Sequence, residues 1–284
     1  MARLLKSRLD KQKDKLGERG LFTLLVVICL ALIGLVLLIG CSQDSNNVEP
    51  GPKAAIVDQL FVLEPNQDFI DEVTADLEAC GFEVDVYQGN EVGVKFYREL
   101  PKYGYKLIIF RAHAGVVGRG EGSQVVEKEA TYLFTGETYT KAKYTREQLS
   151  DQMLPAKMVA DYPPVFAISS KFVLESMKGM FEDTAILMMG CSTTYLSDMV
   201  AAFLLKGAST YIGWNRSVSI GYLDEATVHL VHNLCVEDLT VEKAVGKTMA
   251  QVGRDPLTQA SLRYYRKESG NKTIKELIEW QGLS

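Results

Sequence analysis

The 284-residue chain is poor in cysteine and histidine, with five Cys, at 29, 41, 80, 191 and 235, and three His. No two cysteines form a CxxC pair and their spacing is irregular, which excludes a zinc ribbon and a miniature scaffold stapled by disulfides. A basic surplus is missing as well. The 31 Lys and Arg stand against 36 Asp and Glu, a formal charge of -5, so nothing general about the surface attracts a nucleic-acid backbone. Internal repeats and low-complexity tracts are absent, which sets aside solenoids, collagen-like chains and disordered polymers. Only one long apolar run occurs, too few for a multispanning transporter. What remains, 47% hydrophobic residues, is enough to build a sizeable buried core.

That single run, Leu21 to Ile39, carries no charge, and at about 1.5 Å per residue it can cross a hydrocarbon core of roughly 30 Å. Seven basic residues precede it (Arg3, Lys6, Arg8, Lys11, Lys13, Lys15, Arg19) against three acidic ones (Asp10, Asp14, Glu18), and the stretch beyond is acidic and polar. The positive-inside rule then leaves residues 1–20 as a cytoplasmic leader, makes 21–40 the membrane segment, and sends the bulk of the chain across. Leu38-Ile39-Gly40-Cys41 resembles the lipobox of prokaryotic lipoproteins, which implies a lipid on Cys41 after cleavage. The twenty-residue leader with its acids fits an uncleaved signal anchor equally well. Cys29, inside the run, reads as a small hydrophobe. Residues 41–53, CSQDSNNVEPGPK, have no apolar periodicity and read as an extended tether.

One α/β domain is expected over residues 54–284. Strand candidates are Ala54 to Phe61, Phe82 to Tyr87, Lys106 to Phe110, Val165 to Ile168, Thr184 to Met189 and Ser209 to Gly213. Their unbroken apolar character predicts burial on both faces. Helical spacing covers Asp68 to Cys80, Ser197 to Lys206, Leu223 to Val236 and Val241 to Val252, with Gly81 and Gly207 placed as glycines past helix ends. The alternation predicts a mainly parallel sheet flanked by helices. Gly115 to Tyr144 interrupts it as an insertion, with a hairpin expected to turn at Thr135-Gly136.

In such sheets ligands gather beyond the carboxyl ends of the strands. Two chemically capable residues stand there: His113 after Leu107 to Phe110, and Cys191 after Ile186 to Met189. On neighbouring strands, about 4.8 Å apart, the imidazole can draw the proton from the thiol and leave an attacking thiolate. Backbone N-H groups at Cys191 and at Ala114 and Gly115 are the candidates for cradling an oxyanion.

A strand ending in His and Gly, followed by a strand ending in a small residue and Cys, resembles the caspase-like superfamily of cysteine peptidases, which includes gingipains, legumains, separases and CHAT domains. The likeness continues through Gly190-Cys191-Ser192-Thr193, the Met199 to Ala208 helix with its Gly-Ala end, Tyr211-Ile-Gly-Trp214, Asp224-Glu225-Ala226 and Val241 to Val245. It covers roughly residues 54 to 255, most specifically 184 to 255. Ala114 stands where the family has Gly directly after the His, and the His-to-Cys interval is long for a compact member. The resemblance implies a caspase-like fold, a peptide or protein substrate, a His113-Cys191 dyad, no cofactor and no metal, and a specificity pocket near Glu64, Met189 and Trp214. An acid at Glu64 or Asp58 implies a basic P1 side chain. The rival readings are a non-catalytic binding or sensing module at the cell surface, and a phosphate- or metal-dependent hydrolase on a similar sheet.

Other signals carry less. Gly118-Arg-Gly120-Glu-Gly122 lacks the Lys-Ser/Thr and the helix of a phosphate loop. His229, His232 and Cys235 recur every three residues on one helix without a fourth ligand. Cys80 closes an amphipathic helix, and a disulfide to Cys235 leaves no mark in a sequence. Tyr132, Phe134 and Tyr139 suit cross-strand pairing better than a flap over a substrate.

Overall fold

Strands that are apolar on both sides need cover on both, and two separate layers supply it. A computed structural model describes residues 51–119 and 127–278. The leader, the apolar segment and the tether as far as Pro50, with Cys29 and Cys41, lie outside the described residues, as do Gly120 and Gly122. Among the described residues no helix is long and apolar enough to cross a membrane. Residues 50–284 form one unit.

Its strands are β1 (Lys53–Asp58), β2 (Glu83–Gln88), β3 (Tyr105–Arg111), β4 (Ala114–Arg119), β5 (Glu127–Thr138), β6 (Met153–Ala156), β7 (Val165–Ser169), β8 (Thr184–Met189), β9 (Ala208–Trp214) and β10 (Leu262–Tyr265). The helices are α1 (Gln67–Ala79), α2 (Val94–Glu99), α3 (Thr145–Leu149), α4 (Ser170–Glu175), α5 (Asp198–Leu205), α6 (Ile220–Cys235), α7 (Val241–Val252) and α8 (Ile274–Ile278). A six-stranded sheet runs in the order β10-β9-β8-β3-β1-β2. Its strands are parallel except β10, which lies antiparallel on β9.

Successive side chains of a strand point to opposite faces, and here each face meets its own core. Ile56, Leu107, Ile109, Leu187 and Trp214 share one with Val73 and Leu77 of α1, Leu230 of α6 and Ala244 of α7. Val57, Ile108, Phe110, Ile186 and Met188 share the other with Tyr97 of α2, Phe172 of α4 and Phe203 of α5. Burying each such large side chain contributes roughly 1.5–3 kcal/mol. The mainly parallel sheet flanked by helices is therefore as the apolar strand pattern predicted.

Four local expectations change. β2, expected to be buried on both faces, is the edge strand of the sheet, and none of its residues is fully buried. Val165–Ser169 is fully buried but belongs to a second, antiparallel sheet of order β4-β5-β7-β6; an apolar run shows that a strand is buried without showing which sheet buries it. Thr135-Gly136 makes no turn, because β5 runs on through it with an irregularity in its pairing to β7 between Phe134 and Thr138. Gly136 instead marks a close approach: a Cβ there would sit 1.9 Å from the Gly89 carbonyl oxygen, and Gly136 N donates to Val92 O at 2.8 Å. The real hairpin is β4 with β5, Ala114 facing Leu133. Finally, β1 stops at Asp58 and a 3-10 turn, Gln59–Val62, follows.

Candidate active site

β3 and β8 are neighbours, and Arg111 with Met189 is their last paired position. His113 and Cys191 each lie two residues beyond that pair, so equal lengths of chain carry them past the same edge of the sheet. The two exits touch. Ala112 N donates to Met189 O at 3.2 Å, and a Cβ on Gly190 would meet Ala112 O at 2.5 Å and Ala114 Cβ at 3.2 Å. Only glycine allows this approach.

The turn that presents Cys191 is held from β9. Ser192 has φ 55°, a left-handed conformation that costs a non-glycine residue about 1 kcal/mol or more. Three backbone bonds oppose that cost: Ser192 N to Arg216 O at 2.9 Å, Thr194 N to Trp214 O at 2.9 Å, and Tyr195 N to Ser192 O at 3.0 Å. The Thr193 hydroxyl accepts from Trp214 N at 3.1 Å and lies 3.1 Å from Met188 O. Gly213 makes room for it, since a Cβ there would come within 2.5 Å of the Thr193 oxygen.

Cys191 is partly buried, and its Sγ faces one backbone amide. Val218 N donates to the sulfur at 3.4 Å, and Val218 O lies 3.5 Å from it. An N-H aimed at sulfur strengthens as the sulfur gains negative charge. The neighbouring residue, Ser219, is anchored by the buried Asp255, whose Oδ2 accepts from Ser219 N and Ser219 Oγ at 2.8 Å each. Asp255 Oδ1 accepts from Leu257 N at 2.8 Å and Thr258 N at 3.0 Å. Burial works to raise this carboxyl, yet the Ser219, Thr258 and Leu257 donors bring it down to about 2.

His113 is positioned through its backbone. Its N-H donates to Gln59 Oε1 at 2.9 Å, its carbonyl accepts from Phe134 N at 2.9 Å, and its ring packs 5.9 Å from that of Phe134. Nε2 is buried and has no hydrogen-bond partner among the described residues. Burial, and next the Arg111 charge, hold the imidazole below its ordinary range against the opposing pull of Glu64. A neutral ring with a free nitrogen can accept a proton.

Beneath His113 lies a buried ionic network. Arg111, 1% exposed, donates from Nε and Nη2 to Asp224 at 2.7 and 2.8 Å and from Nη1 to Asp58 Oδ1 at 2.8 Å. Asn66 Nδ2 donates to Asp224 at 2.9 Å. Burial pushes the Asp58 carboxyl up, partly offset by Arg111, and its Oδ2 has no partner among the described residues. The fully buried Gln59, next in the chain, reaches Met158 Sδ at 2.9 Å as well as His113. Sequence reasoning missed Arg111, Asp224 and Gln59. The available signal was a charged residue closing each of two otherwise apolar strands, at Asp58 and Arg111.

The remaining candidates are scattered. Glu64 is exposed and close enough for His113 to feel its charge. Met189 and Trp214 are fully buried in the core, with Trp214 5.7 Å from Tyr222, so neither forms the wall of an open pocket. Asp58, saturated on one oxygen by Arg111, is likewise closed to an incoming side chain. Since Phe134 N bonds His113 O, the antiparallel alternation makes 113–134 and 115–132 the hydrogen-bonded pairs. Gly115 N-H is thus turned into the ladder, while Ala114 N-H points away from β5. His232 Nδ1 meets Asp76 at 3.2 Å, and among the described residues no group of three His, Cys, Asp or Glu is placed to hold a metal. Tyr139 packs on Phe166, with ring centroids 5.1 Å apart, inside the second sheet. Compared with models of known protein families and with curated proteins, the chain matches none.

Proposed function

We propose that the chain is a membrane-anchored, extracytoplasmic cysteine endopeptidase of caspase-like fold, with Cys191 as nucleophile and His113 as general base and then acid. The observation that carries this reading is the placement of a half-buried thiol and a buried, unpartnered imidazole nitrogen two residues beyond one matched pair of adjoining parallel strands. The anchor is the apolar segment 21–40 or a lipid on Cys41. Gingipain and CHAT domains remain the families that the motifs resemble.

In the reaction, His113 Nε2 takes the Cys191 thiol proton and the sulfur attacks the scissile carbonyl carbon. The oxyanion that forms is met by the N-H groups of Cys191 and Ala114. As the tetrahedral species collapses, His113 returns its proton to the departing amine. Water, deprotonated by the same nitrogen, then releases the acyl group and frees the sulfur. Among the specificity candidates only Glu64 is exposed, and its carboxylate favours a basic P1 side chain.

One observation favours the rival, a non-catalytic caspase-like binding or sensing module: the sulfur's partner here is the Val218 backbone, not His113. Dyads commonly tighten only when substrate arrives. Active-site labelling separates the two. Peptidyl electrophiles bearing P1 Arg, Lys, Asp or Asn are added to the full chain, wild type and Cys191→Ala. Rapid modification of wild type, fastest with Arg or Lys and lost in the variant, supports the peptidase; slow, equal modification of every thiol sinks it.

A further inference from the structure

Away from the dyad, two more cysteines lie near each other. Cys80 is the C-cap of α1 and Cys235 the last residue of α6. Both are free thiols in this structure; Cys235 is buried in the core that lies between α1 and α6, and Cys80 packs against that same core. Cys80 is half-buried; Cys235 is 3% exposed. Neither belongs to the site described above, and they sit 155 positions apart in the chain.

Their placement completes a pattern between two helices that run side by side in the same direction: Cys80 lies four residues past Asp76 and Cys235 three past His232, the pair that joins the helices one turn earlier. At their N-terminal ends Asn66, the N-cap of α1, bonds Asp224 of α6 at 2.9 Å. Toward the other end Asp76 meets His232 at 3.2 Å, and the cysteine pair closes the series. A covalent bond at that end would fasten α1 to α6, and α6 carries the carboxylate that holds Arg111.

We propose that Cys80 and Cys235 are a redox pair that closes to an intramolecular disulfide, with Cys80 as the sulfur that opens the reaction. Cys80 is the more accessible of the two. Cys235 and the nearby Lys275 ammonium favour its thiolate against its burial, whereas the Cys235 thiol is held protonated by Cys80 and by burial. The thiolate attacks one sulfur of a low-molecular-weight disulfide, whose S-S bond breaks and releases one thiolate. Cys235 then gives its proton to water and attacks the Cys80 sulfur of the mixed disulfide, expelling the second small thiol. Two protein thiols are oxidised and one small disulfide is reduced to two thiols, so no further reactant is needed.

The test uses the full chain, treated with glutathione disulfide, alkylated without reduction, digested and mapped by mass spectrometry. The expected product is one linked peptide pair joining Cys80 to Cys235, lighter than the separate thiol peptides by two hydrogen atoms, present in wild type and in Cys191→Ala and removed by dithiothreitol. Closing so long a loop raises Tm by roughly 5–15 °C over the reduced protein. Recovery of both residues as alkylated thiols from the folded, oxidant-treated protein overturns the proposal, as does a persistent glutathione adduct on Cys80 beside a free Cys235. Neither outcome depends on whether Cys191 is catalytic.

Discussion

Replacing Arg111 with Leu removes three hydrogen bonds, two to Asp224 and one to Asp58, and strands two carboxylates in a site 1% exposed at the guanidinium. Breaking a buried pair from one side costs about 3–5 kcal/mol, a large part of the roughly 5–15 kcal/mol that stabilises a typical domain. The cost depends on pH. Burial already raises the Asp58 carboxyl and Arg111 offsets it, so without the guanidinium it rises further, and the variant keeps most of its stability below about pH 4 and loses it as pH rises through the new folded value. Urea unfolding at pH 4.5 and 7.5 should therefore show the gap between wild type and Arg111→Leu widening at the higher pH. A second readout follows from the Arg111 charge, which holds the His113 imidazole down: in the variant the acid limb of any pH-rate profile moves to higher pH. An Arg111→Leu protein that loses less than about 1 kcal/mol, or the same amount at both pH values, would refute this account of the network.

Other substitutions separate positioning from chemistry. Asp255→Ala removes a buried carboxylate and leaves its four part-buried donors unpaired; it should cost about 1–3 kcal/mol by chemical unfolding, while slowing Cys191 labelling through the released Ser219 loop. In wild type the Asp255 carboxyl is brought down to about 2, below the ordinary carboxylate range, so its contribution is intact above about pH 4 and fades between there and pH 2, which acid titration of near-UV circular dichroism follows. Gly190→Ala must displace the Ala112 carbonyl, 2.5 Å from the new Cβ; a loss of roughly 1–3 kcal/mol is expected by thermal unfolding, together with slower labelling. His113→Ala should abolish peptide hydrolysis yet leave Tm within a few degrees, because the hydrogen bonds that position His113 are made by its backbone.

Much of the central sheet was legible because its strands are short, apolar and bounded by glycines or charged residues, and because α1, α5, α6 and α7 announce themselves by spacing. Val165–Ser169 was not legible as part of another sheet. Local hydrophobicity reports burial, whereas pairing is decided by residues far away, here Tyr132 to Thr138 and Met153 to Ala156. Gly136 misled for a related reason, since a glycine needed for a turn and a glycine needed beneath a passing carbonyl look alike in sequence. At the site, the two reactive residue types could be found from their positions after strands. Gln59 could not, because its role is to accept one backbone N-H from a residue 54 positions away.

The supports of the two candidate catalytic residues come from different sides, and that has a consequence for how they fail. His113 hangs from the β1 end, through Gln59 and the Arg111 network, and from β5 through Phe134. Cys191 hangs from the β9 end, through Thr193, Arg216 and the Asp255-bound loop. No side chain named in one set bonds to one named in the other; the sets meet where Gly190 passes Ala112 and along α6, whose N-cap Ser219 lies five residues before Asp224. Substitutions within a set should therefore couple strongly, and substitutions across the sets should add to within about 0.5 kcal/mol for stability. Catalysis obeys a different rule, because the transition state needs both residues at once: Gln59→Ala combined with Asp255→Ala should lower kcat/KM by less than the product of the two single effects, as each alone already spoils the geometry. Additive stability beside non-additive activity in that double-mutant cycle is the signature of a dyad held from two sides, and additive losses in both would mean that the two residues do not act together.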